Sequence, residues 1–179
     1  MNDGLIPNRY AKALYKHALE VDEAALLYGQ MKSIADGFAA ADGLKAAINN
    51  PFIAVENKEQ LLLKIAGAKK DSSLDKFILL VDRHNRISML HAMSLAYVKL
   101  YRKASGISQV DIATACGLPD KQIKAIIATV ERYLDGRRLE ITTRIDPKLI
   151  GGFVVKADSA VLDASVMNEL KKMRLKLLS

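Results

Sequence analysis

The sequence predicts an α+β protein: a six-helix, all-α bundle over residues 1–105, then a small α/β domain over residues 106–179. Three observations predict it. Apolar residues recur every three or four positions as far as Ser105, the spacing of one helix face. After Gly106 they alternate in several short runs, the spacing of half-buried strands. Between the two regimes stands Ala104-Ser105-Gly106, which marks the boundary.

The first helix opens near Pro7, where a missing N–H costs nothing, and carries Tyr10, Leu14, Ala18 and Val21. A second runs from about Asp22 into Ala41 with Leu26, Leu27, Met31, Ile34 and Phe38 on its apolar face. Asn49-Asn50 before Pro51 is a stop, because a residue preceding proline is driven away from helical ψ. Helix resumes near Glu56 with Leu61, Leu62 and Ile65. Asp71-Ser72-Ser73 supplies an N-cap for the next helix, through Leu74, Phe77, Ile78 and Val81. His84-Asn85 interrupts it, and a last helix follows from about Ser88 to Lys103. These are five or six short helices with short connections, hence a bundle.

In the second region Ile107–Thr114 alternates, with Ser108, Val110, Ile112 and Thr114 on one face. Leu139–Ile145 alternates more clearly. Between them, Pro119–Leu134 reads as a helix facing a core with Ile123, Ile126, Ile127 and Val130. Phe153–Lys156 and Ala160–Leu162 flank Asp158-Ser159, a tight hairpin. Ser165–Leu178 is a final helix whose end carries Lys171, Lys172, Arg174 and Lys176, charges that complement the helix dipole. Those four either meet an acidic partner or form a solvated helix end.

The net charge of +7 is spread along the chain: residues 1–105 hold 15 basic against 11 acidic residues, and residues 106–179 hold 12 against 9. Such a field suits acidic partners, anionic membranes or nucleic acid without choosing among them, and serves equally as a solubility feature. The start, Met1-Asn2-Asp3-Gly4, has neither the basic region nor the apolar run of a signal peptide. Uncharged apolar stretches fall far short of the ~20 residues of a membrane span, so a soluble, cytoplasmic chain is expected. The single Cys116 excludes an internal disulfide, argues against zinc and reads as a small buried hydrophobe.

No catalytic constellation emerges, so the expectation is a protein that is not an enzyme, without cofactor, metal or small-molecule substrate. His17, His84 and His91 have no metal-ligand spacing and no acidic partner. There is no Gly-x-x-x-x-Gly-Lys and no Gly-x-Gly-x-x-Gly. Gly151-Gly152 leads into strand-like Phe153-Val154-Val155, so no helix N-terminus follows to make a phosphate cradle. Glycine there serves backbone angles or close packing.

One alternative has a definite pattern. Ala113, Gly117, Ile123 and Ile126 fit the spacing of a helix-turn-helix, which would make a basic chain a nucleic-acid binder. Against it, the first segment is β-branched and alternating, and Pro119-Asp120 places an acid where phosphates would lie. No compact basic patch adjoins it, and no nucleic-acid partner is expected.

Several segments resemble a known family. Arg9-Tyr10-Ala11-Lys12-Ala13-Leu14 resembles its opening helix; Asn50-Pro51-Phe52-Ile53 and Phe77 through Ile87 resemble later bundle segments. Leu139-x-Ile141, Ile145-Asp146, Leu149 and Gly151-Gly152-Phe153-x-Val155-Lys156 are similar to its signature, and Asp163-Ala164-Ser165 to its lead into the final helix. Asp158 departs from the small or amide residue usual there. Asn85 stands where many members have glycine, and asparagine tolerates the same left-handed turn. On these grounds the chain resembles the delta subunit of bacterial ATP synthases, the relative of the mitochondrial oligomycin-sensitivity-conferring protein.

The resemblance implies a non-catalytic stator subunit in the peripheral stalk of a proton-translocating rotary ATP synthase. It implies that residues 1–105 grip the N-terminal helix of an alpha subunit atop the catalytic hexamer, in a groove between the first and fifth helices. It implies that residues 106–179 hold the C-terminal end of the b subunit, and through b the cytoplasmic face of the cell membrane. The groove residues so implied are Tyr10, Ala13, Leu14 and His17 on the first helix and Phe77, Leu80, Val81 and His84 on the fifth. Leu14, Phe77 and Val81 read equally as bundle core; Tyr10, with its polar tip, and Leu80 are better suited to contact. Gly151, Gly152, Asp163 and Ser165 are the structural motif of the second domain.

Overall fold

The computed structural model describes residues 4–117, 119–133, 138–157 and 160–178. Their eight α-helices and four-stranded sheet make an α+β structure. Backbone contacts divide the chain into two units, Met1–Ala104 and Ser105–Ser179.

In the first unit, α1 (Leu5–Glu20) buries Pro7, Ala11, Leu14 and Ala18, spaced four, three and four apart. Long α2 (Ala24–Ala40) packs against α1, α3, α4 and α5, and its Leu27, Met31 and Ile34 are sealed in the core. A short helix, α3 (Asp42–Asn49), occupies a stretch to which the periodicity assigns none; it buries Leu44 and Ile48, one turn apart, and stops before Pro51. Helix α4 (Val55–Ala66) ends at Gly67. Ser72 caps α5 (Ser73–Arg83), its hydroxyl accepting the Asp75 N–H at 3.3 Å. Asn85 then adopts φ +53°, which turns the chain through a 3-10 segment, Ile87–Met89, into α6 (Leu90–Ser105). Gly106, at φ +62°, ends α6 in the left-handed region that glycine enters without steric cost.

Three tyrosines tie α6 to α1. Tyr97 is fully buried, donates to the Ala24 carbonyl at 3.3 Å, and meets Tyr15 edge-on. Tyr101 meets Tyr15 edge-on and stacks on Tyr28 at 4.5 Å. Burial, with Tyr15 and Tyr101 alongside, pushes the Tyr97 phenol far above its ordinary value, so its hydroxyl stays a donor to Ala24.

In the second unit the sheet order is β2-β1-β3-β4. Central β1 (Ile107–Thr114) pairs in parallel with β2 (Arg138–Ile145) and antiparallel with β3 (Gly152–Ala157); β4 (Ala160–Ser165) is antiparallel to β3. Parallel pairing needs a crossover, and α7 (Asp120–Tyr133) lies in that connection. On one face Val110, Ile112, Val155 and Ala157 pack with Val130 of α7; on the other Ala113, Val154 and Leu149 form a smaller cluster. Residues 158 and 159, expected as a hairpin turn, lie outside the described residues; Ala157 and Ala160 pair on either side of them.

The first segment of the helix-turn-helix pattern is strand β1, as its alternation predicts. One sequence expectation is overturned here. Cys116 is exposed, because β1 ends at Thr114 and the chain leaves the core before reaching it.

Glycine at position 152 is dictated by geometry. Its φ is +74°, and a Cβ there would drive into the Ala164 carbonyl oxygen of β4. One residue earlier, the Gly151 carbonyl accepts the Val166 N–H at 3.1 Å, at the start of α8 (Val166–Leu178). Ser165 caps α8: its Oγ accepts the Asn168 N–H at 3.2 Å and donates to Asp163 Oδ1 at 2.6 Å. The Ser165 N–H donates to the same oxygen at 3.0 Å. Those two bonds, the hydroxyl's first, hold the Asp163 carboxyl below its ordinary value, helped by Lys172.

Candidate functional site

Along the outer side of α1 runs a cleft of about 700 Å³. Leu5, Ile6, Tyr10 and Ala13 give it apolar surface, and Arg9, Lys12, Lys16 and Arg86 give it positive charge. The helix explains the arrangement. Leu14 and Ala18 face inward with Pro7 and Ala11, so residues between those positions in the helical repeat are left on the open side. Ala13, with its single methyl group, leaves the wall shallow.

Tyr10 is the meeting point of three elements. Its ring lies edge-on to Phe77 and to His84, each at 6.3 Å. Its hydroxyl accepts from Arg86 Nη1 at 3.0 Å, and the same guanidinium stands 5.6 Å from the ring centre. His84 is itself held, with Nδ1 at 2.7 Å from the Leu80 carbonyl oxygen.

Of the eight groove residues expected from the sequence, Tyr10 and Ala13 line this cleft. Phe77 and His84 reach its edge through the Tyr10 ring. Leu14, Phe77 and Val81 are buried in the core of the first unit. Leu80 is 46% exposed, and His17 is exposed on α1. Sequence reasoning passed over the four cations. Arg9, Lys12 and Lys16 were discernible from their spacing of three and four, but Arg86 reaches Tyr10 across 76 residues only through the Asn85 turn.

The second unit has a smaller apolar cleft of about 220 Å³, lined by Val130 and Thr129 of α7, Val155 and Ala157 of β3 and Ala160–Leu162 of β4. Thr129 turns its hydroxyl back to the Ala125 carbonyl at 3.0 Å, so the cleft presents mainly carbon. Apart from that cleft, α8 carries Val166, Met167, Leu170 and Met173, all substantially exposed. Among the described residues no group of three His, Cys, Asp or Glu is placed to hold a metal ion, and no helix is long and apolar enough to cross a membrane.

Residues 6–177 match the family described as ATP synthase delta (OSCP) subunit. The chain belongs to that family. An ATP synthase subunit delta from Phocaeicola vulgatus is 37% identical over 172 residues, covering 96% of this chain and 92% of that one. One from Parabacteroides distasonis is 33% identical over 178 residues, covering 99% and 98%. Among solved structures, a chain in the mitochondrial ATP synthase hexamer of Toxoplasma gondii superposes with a TM-score of 0.72 at 19% identity, covering 97% of each chain, a likeness of fold. Delta-family membership makes the chain a peripheral-stalk component of the membrane-associated ATP synthase, a stator subunit with no active site of its own. The nucleic-acid-binding alternative has no support.

Proposed function

We propose that the chain joins the catalytic hexamer to the membrane-anchored stalk through two separate binding surfaces, one in each unit. In the first, the cleft on α1 receives the amphipathic N-terminal helix of an alpha subunit; Tyr10 and Ala13 form its apolar wall, with Leu80 of α5 and His84 just beyond that helix at its margin. The observation that carries this is the cleft itself: a concave, partly apolar surface along an exposed helix, with a small residue where a partner side chain must enter. In the second unit, the C-terminal end of the b subunit docks on the apolar surface that β4, α7 and α8 leave uncovered. Held at both ends, the complex resists the torque of the central shaft, so that rotation drives ATP synthesis rather than idle turning of the hexamer. With this reading the assembly sits on the cytoplasmic face of the cell membrane, and the bacterial origin of its relatives supports it.

The test is a calorimetric titration of the full chain with a synthetic peptide of the alpha subunit's N-terminal residues. Saturable binding is expected, and Ala13→Trp, which fills the cleft without touching the core, weakens it at least about tenfold. Absence of saturable binding, or an Ala13→Trp protein that binds as well as the parent, overturns the assignment.

A further inference from the structure

We propose that the helix held in the α1 cleft is recognised by charge as well as by apolar contact, its carboxylates meeting Arg9, Lys12, Lys16 and Arg86. This inference rests on the helix-docking reading above and specifies the chemistry of the occupant: an amphipathic helix whose flank carries Asp or Glu about one and two turns apart.

Spacing is the first ground. Arg9, Lys12 and Lys16 are separated by three and four residues on α1, all exposed and all on the cleft. At 1.5 Å per residue they span about 10 Å, the distance covered by three carboxylates at the same spacing on a helix lying alongside. Charge is the second. Four cations border one concave surface, and among the described residues no carboxylate lines it. Arg9, Lys12 and Lys16 form no ion pair among the described residues, whereas Arg144 of the second unit sits against both Asp111 and Asp146. Like charges gathered around low-dielectric walls focus a positive potential into the cleft, and an anionic occupant relieves their repulsion.

Arg86 differs from the other three. It is half-buried, and one Nη1 hydrogen is committed to the Tyr10 hydroxyl, which fixes the plane of the guanidinium. Its remaining donors form a pre-oriented fork suited to a carboxylate, a geometry lysine cannot copy. The cluster therefore sets the register of the helix, Arg86 by direction and the α1 cations by long-range attraction. This extends the apolar cleft, which by itself would accept an amphipathic helix at several registers.

The experiment uses the whole chain and two peptides: the N-terminal segment of the alpha subunit, and the same segment with every Asp and Glu replaced by Asn and Gln. Both are titrated at low and high sodium chloride, against the parent protein and against Lys12→Gln/Lys16→Gln, whose substitutions are exposed and leave the fold intact. The acidic peptide is expected to bind the parent about tenfold to a hundredfold more tightly at low salt, as several exposed pairs acting together allow. That advantage shrinks with salt and falls in the double variant; Arg86→Lys lowers it without abolishing it. Equal affinity of the two peptides overturns the charge reading while leaving apolar docking intact. Failure of both peptides to bind overturns docking itself. Binding of the parent to phosphatidylglycerol vesicles that the acidic peptide does not displace assigns the cations to a lipid surface and overturns the proposal.

Discussion

The Tyr10 hydroxyl accepts a hydrogen bond from Arg86 Nη1 at 3.0 Å, joining the middle of α1 to the turn that follows α5. The two residues are 76 positions apart, and the Tyr10 ring also abuts Phe77 and His84. One phenol thus fixes the wall of the candidate cleft to the helix beside it.

Tyr10→Phe keeps the ring contacts and removes the acceptor. The expected loss of stability is about 0.5–1.5 kcal/mol, the usual contribution of one hydrogen bond. Arg86→Gln combined with Tyr10→Phe should cost less than the two single losses added, because both remove one interaction. Urea denaturation of the four proteins measures this, and strict additivity would show that the pair is not coupled.

The buried carboxyls Glu59 of α4 and Asp75 of α5 should make the first unit's stability depend on pH. Asp75 Oδ2 accepts the Asp71 N–H at 2.8 Å, while Oδ1 has no donor among the described residues unless Glu59 retains its proton. Burial, then the Asp75 charge and its hydrogen bond, push Glu59 above its ordinary value; Glu56 adds to this and Lys70 opposes it. A raised folded-state value means stability is complete below the ordinary glutamate range and falls as pH rises through the raised value. Glu59→Gln keeps an N–H for Asp75 and removes the titration. Urea midpoints at stepped pH should decline towards neutrality for the parent and stay flatter for the variant; parallel profiles would sink the idea.

Asp163 behaves in the opposite sense. The Ser165 hydroxyl and N–H hold its carboxyl below the ordinary range, so this contribution is present above the ordinary aspartate value and lost as pH falls through the lowered one. Protection of the α8 amides relative to their intrinsic exchange rates should fall over that acidic window in the parent and respond less to pH in Asp163→Asn. Ser165→Ala also removes the cap on Asn168 and should cost about 1 kcal/mol at neutral pH. An unchanged α8 exchange rate in Ser165→Ala would show that the cap does not hold the helix.

How much of this was legible in sequence follows from the range of the interactions. The Ser72 cap, the Asn85 turn and the alternation of β1 are local, and a few neighbouring residues specify them. Helix α3 was not legible, because eight residues with Leu44 and Ile48 buried give too little periodicity to separate a helix from the end of α2. The strand order was not legible either: alternation identifies β2 as a strand but does not say that it pairs in parallel with β1. At the candidate site, the apolar face of α1 was readable from its spacing. Arg86 was not, because its place at the cleft depends on the path of the chain between α5 and α6.

The neighbours Ile150 and Gly152 both have positive φ, +65° and +74°, and opposite substitutions should have opposite effects. Ile150 closes the 3-10 segment Pro147–Leu149, its N–H bonded to the Pro147 carbonyl at 3.2 Å, and its side chain is 67% exposed. A β-branched residue in that region carries about 1–3 kcal/mol of backbone strain, with little burial in return. Glycine removes the strain at an entropic cost of about 0.5–1 kcal/mol, so Ile150→Gly should leave the second unit as stable or more so. Gly152→Ala adds the same φ penalty and also forces a methyl group against the Ala164 carbonyl, where backbone, not a flexible side chain, must move. It should destabilise by at least about 2 kcal/mol. Because Gly152 pairs with Ser165 in the β3–β4 ladder, that loss should also loosen the cap of α8. Thermal melts together with α8 hydrogen exchange separate these effects, and a Gly152→Ala protein with parental exchange in α8 would show that the ladder and the helix are not linked.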